Sequence, residues 1–230
     1  MDNSAHHNYY HIDVNPVSGA LGAEINGVDI SAPLDAEVVS EIRKALLNHL
    51  VIFFQNQYIS PQQQLRFAKN FGVPIEYPQL KGLPECPLVT EVIKLEHEKL
   101  NFGGVWHSDT TYLHEPPMAS ILYAIEIPPY GGDTLFSNQY KAFDTLSEGL
   151  KKVLSELVAA NTSSKKEVSM TRDERMREAG MELNILSALH PVVRTHPETG
   201  IKALYVNKAH TTNFEDWTEE ESKSLLEFLF

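Results

Sequence analysis

The chain has 230 residues, 42% of them apolar and 22% charged, with a formal net charge of −12 and a single cysteine. Its length allows one sizeable core, and no stretch approaches the roughly 20 apolar residues of a membrane span. The acidic balance argues against a partner built on phosphates, and lone Cys86 excludes an intrachain disulfide, so a cytoplasmic protein that binds neither nucleic acid nor membrane is expected.

Residues 12–30 alternate loosely and are broken by Gly19, Gly22 and Gly27, which predicts short strands joined by turns. Pro33 and Asp35 open a helix whose Val38, Val39, Ile42, Ala45, Leu46 and His49 share one face. Val51-Ile-Phe-Phe54 follows as a buried strand. Ser60-Pro61 supplies an N-cap with proline at the first helical position, and Gly72 suits the end of that helix. Leu88–Phe136 reads as strand-rich, with strands at Leu88–Leu95 and Ser120–Ile127 and a turn at Gly131-Gly132. Ser147 caps a short helix through Leu157.

Residues 159–187 are polar, charged and weakly periodic, which predicts a loop or lid; its charge cluster, Lys165–Glu178, carries both signs. Val192-Val193 and Ala203–Val206 flank a hairpin turn at His196-Pro-Glu-Thr-Gly200. Thr218 and Glu221 form a capping-box pattern, opening a helix that runs into Leu225, Leu226, Phe228, Leu229 and Phe230. An apolar helical face at the last residue predicts a chain cut short of its natural end. Many strands with a few peripheral helices predict an α+β, mainly β fold in one domain over residues 1–230.

The chemistry centres on His107-Ser108-Asp109. In a strand, residues i and i+2 face the same way, so imidazole and carboxylate could converge on one cation. Together they supply two of the three donors of a 2-His-1-carboxylate site, which leaves positions open on iron. The spacing alone is common: His11-Ile12-Asp13 repeats it, and His196-Pro197-Glu198 nearly does. Gly103 and Gly104 before His107, Trp106 beside it and the strand-rich segment after it set this copy apart.

The run Val105-Trp-His-Ser-Asp-Thr-Thr-Tyr112 resembles the iron-binding strand of the taurine dioxygenase family, which includes herbicide- and alkylsulfate-degrading members. Pro116-Pro-Met-Ala119, Pro128-Pro-Tyr-Gly-Gly-Asp-Thr-Leu-Phe136, His190-Pro191 and Ala203-Leu-Tyr-Val-Asn207 follow in the family's order. The resemblance runs from about residue 12 to residue 230. It implies a double-stranded β-helix (jelly roll) with flanking helices, Fe(II), and 2-oxoglutarate as co-substrate. It implies O2-dependent hydroxylation of a small organic acid of the sulfonate, sulfate or ether class, with succinate formed. A homo-oligomer follows by analogy only.

By motif, the resemblance makes His107 and Asp109 metal ligands and gives Thr134 and Asn101 to 2-oxoglutarate. Tyr77, Thr110 and His210 line the substrate site; His210 is also a candidate third ligand, although that position in the family usually lies at the site's mouth. The family's distal histidine and carboxylate-clamping arginine fall after the helix that reaches Phe230, so the 230-residue chain alone is expected to lack activity. The alternative is an inactive truncated or degenerate relative that binds a small molecule. Taurine-specific members carry histidine where this chain has Tyr77 and asparagine where it has Gly103, so taurine itself is not the expected substrate.

Overall fold

The computed structural model describes residues 8–78, 80–96, 103–165, 180 and 184–230. They form an α+β protein of two compact units, Met1–Pro74 with Ile121–Asn138, and Ile75–Ser120 with Gln139–Phe230. No helix among the described residues is long and apolar enough to cross a membrane.

In the first unit, β1 (Asp13–Pro16) pairs antiparallel with β2 (Ala23–Asn26), and β2 pairs parallel with β3 (Ile52–Phe54). Parallel neighbours need a crossover, which α1 (Ala36–His49) provides. The helical spacing read from the sequence buries Ile42 and Ala45 against Ile12, Ile25 and Ile30. Helix α2 (Pro61–Ala68) starts in a capping box, with Ser60 Oγ accepting from the Gln63 amide and the Gln63 side chain accepting from the Ser60 amide. Its Phe67 stands edge-on to Phe54 and Phe71, at 5.5 and 5.2 Å between ring centroids.

The strands expected at Leu88–Leu95 and Ser120–Ile127 do not form among the described residues. Apolar, β-branched runs become strands only where a ladder partner accepts them. Here Leu122, Ile125 and Ile127 stay largely exposed, while Leu83, Cys86 and Val89 bond one another in tight turns.

In the second unit β4 (Val158–Thr162) is the middle strand of an antiparallel sheet, between β5 (Ser187–Pro191) and β8 (Thr211–Phe214). The loop expected over 159–187 therefore starts later; residues 166–179 and 181–183 of that expectation lie outside the described residues. The periodicity was weak because the strand's inward positions include Asn161, and Ser163 is buried just beyond it. Hydrogen bonds satisfy both: Asn161 accepts from Thr211 Oγ1, and Ser163 Oγ accepts from the Leu186 amide.

Strands β6 (Val193–Thr195) and β7 (Lys202–Leu204) make the expected hairpin, closed by the His196 amide donating to the Ile201 carbonyl. Helix α3 (Gln139–Asp144) packs on β7. Ser147 caps α4 (Glu148–Leu154), and Thr218 caps α5 (Glu219–Leu229), which packs on β8. Phe143, Leu154, Ala159, Val192, Leu204, Val206, Phe214 and Leu226 form one core beneath them.

Candidate metal centre

The site lies in the second unit, on the turn that carries His107 and Asp109. This segment is not a strand. The chain reverses through residues 109–112, with Thr110 at φ +50°, a left-handed conformation that β-branched residues rarely adopt. The two side chains nevertheless converge, His107 Nε2 lying 3.2 Å from Asp109 Oδ1.

Both partners are held from behind. His107 Nδ1 lies 2.7 Å from the Val105 carbonyl oxygen, which can only accept, so Nδ1 carries the proton. In the neutral ring Nε2 then presents a lone pair to a carboxylate oxygen. Two acceptors at 3.2 Å repel unless a proton or a cation lies between them. Without a metal a proton serves. The hydrogen bond to Asp109 raises the His107 pKa above its ordinary value, the Val105 carbonyl adds to this, and burial opposes it. The same bond holds the Asp109 carboxyl below its ordinary value against burial, with the Ser120 hydroxyl and the fields of His107 and His210 contributing. A divalent ion would take the proton's place: donors about 2.1 Å from one ion and at right angles stand roughly 3 Å apart. The donor set, its separation and its fixed tautomer fit a metal ion.

Thr110, Thr111 and Tyr112, which follow the pair, are buried, whereas Gly103, Gly104 and Trp106 before it are exposed. Gly103 faces the imidazole at φ +73°, and a Cβ there would come within 3.2 Å of His107 Cε1. Thr110 Oγ1 is buried and has no hydrogen-bond partner among the described residues. Behind the turn, Asn207 donates through Nδ2 to Thr111 Oγ1 at 3.3 Å and accepts at Oδ1 from the His210 amide at 2.9 Å. Thr211 Oγ1 accepts from the Asn207 amide and donates to Asn161 Oδ1. The Ala209 amide donates to the Trp106 carbonyl. This polar network ties the turn to residues 207–211.

The predicted residues divide as follows. Tyr77 reaches the turn through Tyr112, whose hydroxyl donates to the Tyr77 hydroxyl at 3.4 Å. His210 is buried, its ring edge-on to Tyr112 at 5.0 Å and its Nδ1 donating to the Thr162 carbonyl. Thr134 lies in the first unit and is exposed. Asn101 lies outside the described residues. No group of three His, Cys, Asp or Glu that could hold a metal occurs among the described residues. The look-alike motifs serve other contacts: the His11 backbone amide donates to Glu41, 30 residues away, and His196 Nδ1 accepts from the Glu198 and Thr199 amides inside its own turn.

Sequence reasoning missed Ser120, which it placed at the start of a strand. Its hydroxyl donates to Asp109 Oδ2 at 2.5 Å. It also missed Thr111, Asn207 and Thr211, because Asn207 bonds Thr111 across 96 residues and Thr211 bonds Asn161 across 50.

A sequence model of the family described as "Taurine catabolism dioxygenase TauD, TfdA family" matches residues 13–230. The chain is 36% identical over 200 residues to an alpha-ketoglutarate-dependent sulfate ester dioxygenase of Pseudomonas putida, covering 84% of this chain and 65% of that protein. It is 30% identical over 239 residues to an alpha-ketoglutarate-dependent sulfonate dioxygenase of Saccharomyces cerevisiae, covering 98% and 56% respectively. A crystal structure of a taurine dioxygenase from Burkholderia xenovorans superposes with a TM-score of 0.76 at 34% identity, covering 96% of this chain and 71% of that one. The chain thus spans less than two thirds of the length of these two curated relatives.

Proposed function

Since the chain belongs to the taurine catabolism dioxygenase TauD, TfdA family, we propose that it is the greater part of an Fe(II)- and 2-oxoglutarate-dependent dioxygenase that hydroxylates a small sulfate, sulfonate or ether-type organic acid. The observation that carries this reading is the His107–Asp109 pair, an imidazole lone pair and a carboxylate oxygen held 3.2 Å apart by groups that fix both. The eight short strands and five helices among the described residues support a jelly roll with flanking helices as the scaffold.

In this reading His107 and Asp109 hold the metal. When bound, Fe(II) with 2-oxoglutarate and O2 supplies the hydroxylating power, with succinate and carbon dioxide as co-products. The protein's part is placement. The Val105 carbonyl keeps His107 in the tautomer that offers Nε2 to a cation. Thr134, on its turn, donates its hydroxyl to a carboxylate of 2-oxoglutarate, and Asn101 donates from its amide. Tyr77, Thr110 and His210 line the substrate's side. The buried Thr110 hydroxyl, without a partner among the described residues, supports a polar ligand there, because an enclosed hydroxyl is costly to leave unbonded.

Because no three-donor group occurs among the described residues, a second reading is carried alongside: a relative that binds the small acid without turnover. One assay separates the two. The protein purified from its natural source, whatever its length, is incubated with Fe(II), 2-oxoglutarate and an alkyl sulfate, an alkanesulfonate or an aryloxyacetate. The dioxygenase reading expects succinate in step with the loss of one of these acids. Binding of an acid with no succinate from any of them supports the second reading and overturns the first.

A further inference from the structure

An ionised carboxylate has two equivalent oxygens, and nothing in the His107–Asp109 pair by itself decides whether a cation meets one or both. Ser120 bears on this. Its hydroxyl lies 2.5 Å from Asp109 Oδ2, at the short end of charge-assisted O–H···O⁻ bonds. A carboxylate offers only acceptors, so the serine must be the donor. Asp109 Oδ1, the other oxygen, faces His107 Nε2 at 3.2 Å. One oxygen is thus spoken for by Ser120 and the other by the imidazole. The serine reaches this place at the end of Pro116-Pro117-Met118-Ala119-Ser120, where two prolines restrict the returning chain.

We propose that Ser120 is the positioning residue that makes Asp109 a one-oxygen ligand, holding Oδ2 so that only Oδ1 is presented beside His107 Nε2. This rests on the reading of His107 and Asp109 as a metal pair. Its consequence is specific to geometry. With Oδ2 tied, the carboxylate does not rotate to chelate the ion with both oxygens, and the position a second oxygen would take stays open for an external ligand. Removing the hydroxyl frees Asp109 to turn away or to chelate. Either change alters the coordination of a bound metal, whereas loss of a merely structural contact would leave it unchanged.

The test uses Co(II), whose absorption reports its ligands, and the natural protein, whatever its length, as wild type, Ser120→Ala, Ser120→Thr and the double variant His107→Ala/Asp109→Ala. Orienting groups behind metal ligands typically contribute ten- to a hundredfold in affinity, so Ser120→Ala is expected to bind Co(II) about tenfold or more weakly and with an altered absorption band. Ser120→Thr keeps a hydroxyl and is expected to restore the wild-type band and affinity to within about threefold. Equal affinity and an equal band in Ser120→Ala and wild type would overturn the proposal. Wild type binding no better than the double variant would instead overturn the metal reading beneath it. Crystal structures of the metal-free proteins then test Ser120 separately. The 3.2 Å Oδ1–Nε2 separation should persist in Ser120→Thr and be lost in Ser120→Ala. Its persistence in Ser120→Ala overturns the proposal whatever the metal does.

Discussion

Replacing Thr211 by valine tests whether the buried polar network behind the turn at residues 109–112 stabilises the second unit. Thr211 is fully buried, and its hydroxyl serves two partners, accepting from the Asn207 amide at 3.0 Å and donating to Asn161 Oδ1 at 2.8 Å. Asn161 and Asn207 are 1% and 6% exposed, so water does not readily replace the lost bonds. Valine keeps the volume and removes the hydroxyl, leaving one buried donor and one buried acceptor unpaired. Each such orphan costs about 1–3 kcal/mol, which gives a loss of roughly 2–5 kcal/mol once some relaxation is allowed. Thr212 is the internal control. It is half-buried, and its hydroxyl reaches Asn213 Oδ1 at 2.7 Å and the Ala160 carbonyl at 3.3 Å where water can take its place, so Thr212→Val should cost only about 1 kcal/mol. Urea unfolding followed by the fluorescence of the two tryptophans, Trp106 and Trp217, both in this unit and the second edge-on to Phe214, reports on it. The midpoint should fall with little change in slope. If Thr211→Val lies within about 0.5 kcal/mol of wild type, or costs no more than Thr212→Val, the network does not stabilise the unit.

Phe214 is fully buried in the same core, and Phe214→Ala should cost about 3–5 kcal/mol in the same denaturation assay. Ser60→Ala removes one half of the α2 capping box and should lower the stability of the first unit by about 1 kcal/mol, read from amide exchange along α2. The pH dependence of the metal-free His107–Asp109 pair follows from the two shifts. The raised His107 value gives a stabilisation that is complete below the ordinary 6.5 and is lost as pH rises through the raised value. The lowered Asp109 value gives one that is complete above the ordinary 3.8 and is lost as pH falls through the lowered value. The pair therefore contributes most between these two ordinary values, and metal affinity should climb as pH rises through the His107 value, because the proton leaves. A proton NMR titration of the His107 ring should show its midpoint drop in Asp109→Asn; an unmoved midpoint would mean that the carboxylate does not hold the proton.

The elements legible in the sequence were those whose signals are local. Helix α1 announced itself through Ile42 and Ala45 at helical spacing, and the caps were legible as Ser60-Pro61, Ser147 and the Thr218–Glu221 pattern, each borne out by its hydrogen bonds. The misreadings have a common cause. Leu122, Ile125 and Ile127 carry strand propensity, but a strand is a property of two chains' backbones, and no sequence window contains the partner. Strand β4 was hidden for the opposite reason, because Asn161 is buried as a polar residue whose partner, Thr211, is 50 residues away. The His107–Asp109 pair was legible as a motif, although its convergence arises from a turn with a left-handed Thr110 and not from strand alternation. Ser120 gave no local signal at all, since its role exists only where the chain returns to Asp109.

The central claim is that His107 and Asp109 together hold the catalytic metal. Its most direct test is anaerobic equilibrium dialysis of the natural protein, His107→Ala and Asp109→Ala against Fe(II). Near-stoichiometric iron in wild type and near-background iron in both variants, with their folds intact by circular dichroism, is the predicted result. Iron retained in either folded variant at the wild-type level would show that the metal is held elsewhere.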